Sequence, residues 1–315
     1  MQDYQTTLGM SHQDWLNVRQ TGIGSSDAPA ILGLNPWQTP TDVYNDKISP
    51  EPIQIEENPK MKAGIMLEDV VAKWFTGEIV KNNPSFKIQR DNKIRKHKTI
   101  PFLLSNLDRV IVGADSPGIL ECKTTSSWMV KLWGDGVPLH YYAQIQHQLN
   151  VCGYKWGYIA VLVDGWDFKY YPIKHDHDYC KYAENLLKEF WNDNVLQQTP
   201  PDPISAKETL QQFPKSLIGT QIKATETIRK NWDDLVNVRS NKKSWSDKEE
   251  HLKEVLQIYM KDSEALMDGS DILATWKSDK DGFKFDESSF KKAHPDLHKK
   301  FLIDTPGSRR FLVKD

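Results

Sequence analysis

The stretch from Phe102 to Thr125, FLLSNLDRVIVGADSPGILECKTT, decides the fold. Phe102 to Val112 and Ile119 to Thr125 have strand composition, and the six residues Gly113 to Gly118 between them are turn formers, so the spacing predicts a β-hairpin. Side chains alternate along a strand, which sends Glu121 and Lys123 to one face and Cys122 to the other. Asp108 on the partner strand adds a second carboxylate.

Two carboxylates and a lysine on one face suit metal-assisted phosphodiester hydrolysis. Such chemistry needs oxygen ligands for Mg²⁺, a cation to position or activate water, and metal charge to stabilise the developing oxyanion. The acid-x-Lys tripeptide is not specific by itself, since Asp91-Asn-Lys93 and Asp167-Phe-Lys169 match it too. Asp91 stands in a hydrophilic basic run, and Asp167 follows a tight turn with no acid on a preceding paired strand. Glu121 has the full arrangement. A solvated surface ion pair is the plain alternative, but Val110, Ile111, Ile119 and Leu120 predict apolar surroundings in which an uncompensated acid is costly.

Outward from the hairpin, Met61 to Val80 carries Leu67, Val71, Trp74 and Phe75 at helical spacing and bears Glu68. Pro138 to Cys152 reads as a Gln-rich helix stopped by Gly153. Tyr158 to Val163 and Trp166 to Ile173, joined by Asp164-Gly165, form a second hairpin, and Asp178 to Val195 an amphipathic helix. Upstream, Ser11 caps a short helix that ends at Arg19. A Gly-rich turn from Thr21 to Ser26 then feeds a helix over Asp27 to Leu32, with Ser25 or Ser26 as its cap. Thr41 to Ile48 is a further short helix and Pro50 to Pro59 a loop. Pro200-Pro-Asp-Pro203 closes a core of residues 1–203. Residues 204–315 read as a mainly helical extension, with Leu217 to Met267 helical, a hairpin over Ile272 to Asp286 turning at Lys280-Asp-Gly282, a short helix, and a last segment from Arg309 to Val313.

Composition narrows the class. With 38% hydrophobic and 27% charged residues and no run near the roughly 20 apolar residues of a membrane span, a soluble protein with no membrane partner is expected. Met1 to Met10 has neither Lys nor Arg, so no secretory leader is read there and the expectation is cytoplasmic. Cys122, Cys152 and Cys180 fit neither a disulfide framework nor a C-x-x-C metal site. A net charge of -2 excludes a uniformly basic nucleic-acid coat. The one basic tract, Lys87, Arg90, Lys93, Arg95, Lys96 and Lys98 against Asp91, reads either as a phosphate track or as a guarded strand edge. Trp37 reads as a base-stacking wedge or as packing. His175-Asp-His-Asp178 falls where a strand ends and a helix is capped, which outweighs its likeness to a metal cluster. His147 reads as structural.

On these residues the chain resembles the phage recombination exonucleases of the YqaJ and lambda exonuclease type, in the PD-(D/E)xK nuclease superfamily. The carriers are Arg19 to Gly33 (RQTGIGSSDAPAILG), Gly64 to Glu68 (GIMLE), Leu104 to Asp108 (LSNLD), Glu121-Cys-Lys123, and Tyr141 to Gln146 (YYAQIQ). The resemblance implies an α/β (α+β) fold with a restriction-endonuclease-like core, a central mixed β-sheet flanked by helices. It implies that Asp108, Glu121, Glu68 and the Cys122 backbone carbonyl hold Mg²⁺, with Mn²⁺ able to substitute, and that Lys123 is the catalytic lysine, Tyr141 and Gln144 completing the site. Leu107 stands where the motif's proline usually sits, a mild departure because proline is no ligand. Gln148 stands where related RecB-type nucleases have Tyr in Gln-x-x-x-Tyr.

The resemblance further implies that Arg19, Ser26, Asn106 and Gln144 bind a DNA 5′-phosphate. The chemistry agrees for the first two, since Arg forks onto phosphate and a Ser cap at a helix N-terminus makes an anion site; the alternative is an ordinary helix-end cation and cap. The function implied is 5′ to 3′ exonuclease digestion of linear double-stranded DNA, making single strands for recombination. A homo-oligomer, a trimeric ring, and a single-strand annealing partner are implied as well. The competing readings are a structure-specific or restriction-like DNA endonuclease and a non-catalytic DNA-binding module. The iron–sulfur branch of the superfamily needs four clustered cysteines that this chain lacks.

Overall fold

The computed structural model describes residues 3–54, 58–133, 136–304, 307 and 309–313. It divides into two compact units, Met1–Glu208 and Thr209–Asp315. In chain order the first unit holds β1 (Tyr4–Thr6), α1 (His12–Gln20), α2 (Ala28–Ile31), α3 (Pro40–Ile48), α4 (Pro59–Asn82), β2 (Lys87–Arg90), β3 (Lys93–Lys96), β4 (Leu104–Ser105), β5 (Arg109–Val112) and β6 (Gly118–Thr125). A 3-10 segment (Ser127–Trp133), α5 (Leu139–Cys152), β7 (Trp156–Val163), β8 (Asp167–Lys174), α6 (His177–Glu189) and a π-helical turn (Phe190–Val195) complete it.

A five-stranded sheet in the order β2-β5-β6-β7-β8 forms the centre. β6 and β7 run parallel and the other neighbours antiparallel, so the sheet is mixed. A parallel pair needs a long crossover, and the 3-10 segment and α5 supply it. Alternation then sorts the residues of β6. Ile119 belongs to the layer under α5 with Ile145, Leu149, Ile159 and Val161. Leu120 and Cys122 belong to the layer under α4 with Val71, Phe75, Ile79 and Leu162. The sheet is thus covered on both faces, and each fully buried aliphatic or aromatic side chain contributes about 1.5–3 kcal/mol. A third cluster joins Ile23, Ala28, Val43, Leu103, Leu187 and Trp191, with Phe102 stacked on Trp191 at 5.2 Å.

The two expected hairpins form. β5 pairs with β6 in the register Val110 to Ile119, and β7 pairs with β8 across Asp164 (φ 49°) and Gly165 (φ 82°). Positive φ at both turn residues is what the Asp-Gly signal encodes. At the other turn Gly113 has φ 101°, and a Cβ there would stand 1.9 Å from the Ser85 carbonyl oxygen. α5 ends at Gly153 in the left-handed conformation, and Ser11 caps α1 through the Asp14 amide.

Several expectations are corrected. Phe102 to Val112 is not one strand, because the chain leaves β4 after Ser105 and re-enters the sheet at Arg109; β4 instead joins β1 and β3 in a separate three-stranded sheet. The cap of α2 is Asp27, not a serine, and it makes no side-chain cap bond. The helix expected over Asp178 to Val195 turns π-helical from Phe190, which keeps Phe190 and Trp191 buried. Within the basic tract, Arg95 is buried on Asp91, Arg90 pairs with Asp69, and Lys93 lies over the Tyr4 ring, which leaves both readings of the tract open for Lys87, Lys96 and Lys98.

The second unit has α8 (Glu226–Met260), preceded by α7 (Ala206–Gln212) across the boundary between units. Its hairpin is β9 (Ala265–Asp268) with β10 (Asp271–Thr275), turning at Gly269 (φ 57°) instead of Gly282. No strand is assigned in the described residues from Trp276 to Asp286. Two short helices follow, α9 (Glu287–Ala293) and α10 (Pro295–Lys300). Among the described residues no helix is long and apolar enough to cross a membrane.

Candidate active site

β6 and the first residue before β5 carry the site. Register places Arg109 opposite Leu120, so Asp108, one residue earlier, turns to the other face of the sheet, towards α5, with Glu121 and Lys123. The Cys122 amide donates to Asp108 Oδ2 at 2.8 Å and fixes that carboxylate against β6. Glu121 is only 2% exposed. Its Oε1 accepts from Lys123 Nζ and Gln144 Nε2, each at 2.6 Å, and its Oε2 accepts from Gln148 Nε2 at 2.7 Å.

Electrostatics follow from this crowding. Burial, then the neighbouring Glu121 carboxylate, pushes Asp108 up to about 8, and the Lys123 charge only partly opposes them. Burial works to lower the Lys123 pKa, but Glu121 and Asp108 more than compensate and hold it above the ordinary lysine value. Lys123 is therefore an ammonium with one bond to Glu121, lying 5.0 Å from the centre of the Tyr141 ring.

Glu68 does not join this pair. It projects from α4 on the opposite face of the sheet, where Arg109 Nη1 holds its Oε1 at 2.5 Å and Arg109 Nη2 holds Asp69. Its charge still reaches Asp108, raising the aspartate's pKa as a lesser contribution. Among the described residues no group of three or more His, Cys, Asp or Glu side chains is placed to hold a metal. The donor set is two carboxylates, with the Cys122 carbonyl, between Glu121 and Lys123 in sequence, as a backbone candidate. Those residues nonetheless fit a divalent cation, because Asp108 is buried beside a second carboxylate and the nearby Lys123 ammonium is bonded to Glu121 instead of to it.

Arg19 and Ser26 are brought together. Arg19 Nη2 donates to Ser26 Oγ at 2.7 Å and to Asp27 Oδ1 at 3.3 Å, and the guanidinium lies 5.0 Å over the Trp15 ring. Gly24 makes room for it, since a Cβ there would stand 2.6 Å from Arg19 Nη2. Asn106 and Gln144 are occupied elsewhere, Asn106 Nδ2 on the Lys93 carbonyl at 3.1 Å and Gln144 on Glu121.

Three features escaped the sequence reading. Gln148 contacts Glu121 directly. Lys47, with a side chain 1% exposed, binds Asp27 Oδ2 at 2.9 Å. His140 is buried with its Nε2 unpartnered and meets the exposed Trp37 edge-on at 5.2 Å. The Gln-rich composition of α5 was the available signal for Gln148; long-range pairing of Lys47 leaves no local trace. Asp176, between His175 and His177, caps α6 through the Tyr179 amide.

His147 is structural. It is buried with Nε2 3.0 Å from the Leu104 carbonyl, and burial lowers its pKa to about 4. A folded value below the unfolded one, about 6.5, means full stability above that pH and loss as pH falls towards 4. Between pH 7 and 5 this group should withdraw about 2 kcal/mol. Urea unfolding of His147→Gln should show an acid limb flatter than the parent's by that amount; identical limbs would reject the assignment.

The model of the YqaJ-like viral recombinase domain family matches residues 14–155. The uncharacterized protein YqaJ of Bacillus subtilis (strain 168) is 34% identical across 97% of this chain and 95% of its own length. Among solved structures, the alkaline exonuclease LHK-Exo of Laribacter hongkongensis superposes with a TM-score of 0.50 at 17% identity, covering 63% of this chain and 96% of that one. The same enzyme in complex with dAMP gives 0.50 at 16% identity. At that identity the likeness is one of fold, and the fold in this chain is a mixed sheet between helices. With the family match over the site and the relative spanning nearly the whole sequence, the chain belongs to the YqaJ-like viral recombinase family.

Proposed function

We propose that the protein is a Mg²⁺-dependent DNA exonuclease that digests linear double-stranded DNA 5′ to 3′ from a 5′-phosphorylated end, supplying single strands for recombination. The observation that carries this reading is the buried Asp108–Glu121 pair with an ammonium, Lys123, bonded to it. Asp108, Glu121 and the Cys122 carbonyl would hold the metal. When bound it supplies Lewis-acid polarisation of the phosphate and an activated water.

The chain's own contributions are positional and electrostatic. Lys123 keeps its proton, so it serves as a fixed positive donor that orients water and stabilises charge on the phosphate, not as a base. Gln144 and Lys123 hold Glu121 in one orientation without ordering cost during reaction. Arg19, with Nη2 alone engaged by Ser26 and Asp27, retains guanidinium donors for a terminal phosphate. Glu68, bonded to Arg109, acts through that residue and through its charge on Asp108.

An end-polarity assay tests this. A 5′-phosphorylated linear duplex with Mg²⁺ should be shortened from its 5′ ends while a closed circle survives; rapid cleavage of the circle, or digestion from 3′ ends, overturns the reading. Arg19→Ala should lower kcat/KM on the phosphorylated end by roughly 10- to 200-fold, the loss of a charge-assisted hydrogen bond. The same variant should change kcat/KM little on a 5′-hydroxyl end.

A further inference from the structure

Gln148 lies on α5 one turn beyond Gln144 and is 1% exposed. Its amide nitrogen has two hydrogens and two acceptors: Glu121 Oε2 at 2.7 Å and the Asn106 backbone carbonyl at 3.2 Å. Asn106 stands two residues before Asp108, in the irregular segment between β4 and β5. One side chain thus spans from the Glu121 carboxylate to the segment that presents Asp108. Its own carbonyl oxygen is buried without a partner, which costs about 1–3 kcal/mol. A leucine or methionine would fill the same space without that cost, so the residue's contribution is in what its N–H groups hold.

We propose that Gln148 is a positioning residue that ties the Asp108-bearing segment to Glu121 and sets the spacing of the two carboxylates for a divalent cation. The tie complements the bond from the Cys122 amide. That amide fixes Asp108 Oδ2 from the β6 side, and Gln148 fixes the preceding backbone from the α5 side. The three bonds onto Glu121 also leave it a single open lone pair, on Oε2, since a carboxylate offers four. Glu121 is therefore poised for monodentate ligation, which suits the octahedral demand of Mg²⁺ better than the larger, bidentate shell of Ca²⁺.

The inference rests on the reading of Asp108 and Glu121 as the cation-binding pair. The test is calorimetric titration of Mn²⁺ into the full chain without DNA, for the parent, Gln148→Met, which keeps length and loses the donor, and Gln148→Asn, which keeps the amide and loses the reach. Both variants should bind Mn²⁺ 10- to 100-fold more weakly, the usual penalty for losing a residue that orients a ligand. In an Asp108→Asn background the Gln148→Met change should add nothing, because the segment no longer presents a ligand. Parent-like affinity in either folded variant overturns the tie, and failure of both to fold shows a purely structural role and overturns it too. If the parent itself takes up no Mn²⁺, the pair reading falls and the tie with it, whereas weakened variants beside a binding parent leave the pair intact.

Discussion

Asp108→Asn should reduce hydrolysis of a linear duplex by at least about a thousandfold, the scale of removing a group that organises transition-state charge, while making the metal-free chain more stable than the parent. Both effects come from one observation. Asp108 is buried, a second carboxylate stands beside it, and its pKa is pushed up to about 8. The folded value lies above the unfolded one near 3.9. The fold is therefore penalised as pH rises through that window, and the full penalty is present above about 8. Asparagine has the same shape, accepts the same Cys122 amide through its carbonyl, and carries no such penalty.

The stability gap should open at about pH 4 and widen as pH rises towards 8. Thermal unfolding in a chelator series checks it. The parent should gain several degrees on adding Mg²⁺, as any ligand of the folded state confers, and Asp108→Asn should gain none. Lys123→Ala should lose about 10²- to 10⁴-fold in kcat, with Glu121 left short of a donor. Retained hydrolysis in Lys123→Ala, or a parent indifferent to Mg²⁺, would remove the proposed mechanism.

The parts of this architecture that local pattern encodes were readable before any coordinates. Period-two alternation placed Glu121 and Lys123 on one face, and the Asp164-Gly165 turn announced β7–β8, because both depend on neighbours in sequence. Breaks and long-range bonds were not readable. Nothing in Phe102 to Val112 marks the exit at Asn106, which arises because β4 pairs with β3 and β5 with β2 and β6. The turn at Gly269 was missed in favour of Lys280-Asp-Gly282, since both segments carry turn formers and the choice lies in which flanking residues pair. Glu68 shares its helix with Asp69, and Arg109, 41 and 40 residues away, claims both. Burial of a lysine such as Lys47 runs against composition altogether.

That lysine carries the largest expected stability loss. Burial pushes the Asp27 carboxyl up, but the charges of Arg19 and Lys47, with bonds from Lys47 and the Gly24 amide, outweigh it and leave the group below its ordinary value. Lys47 in turn donates to Asp27, to Asp46 at 3.1 Å and to the Arg19 carbonyl at 3.2 Å. Removing one partner of a buried pair strands the other, at about 3–5 kcal/mol. Lys47→Met should therefore lower the unfolding midpoint by roughly 10 °C. At temperatures where it stays folded, kcat on a blunt duplex should remain within a few-fold, since Asp108, Glu121 and Lys123 are untouched. The preference for a 5′-phosphate should fall, because Arg19 is anchored through Asp27. The double variant Asp27→Asn with Lys47→Met should lose less than the sum of the singles, for no charge is then left buried alone. Single variants within 2 °C of the parent, or strictly additive losses, would show that the pair is solvated and that Arg19 is placed by Ser26 and Trp15 without it.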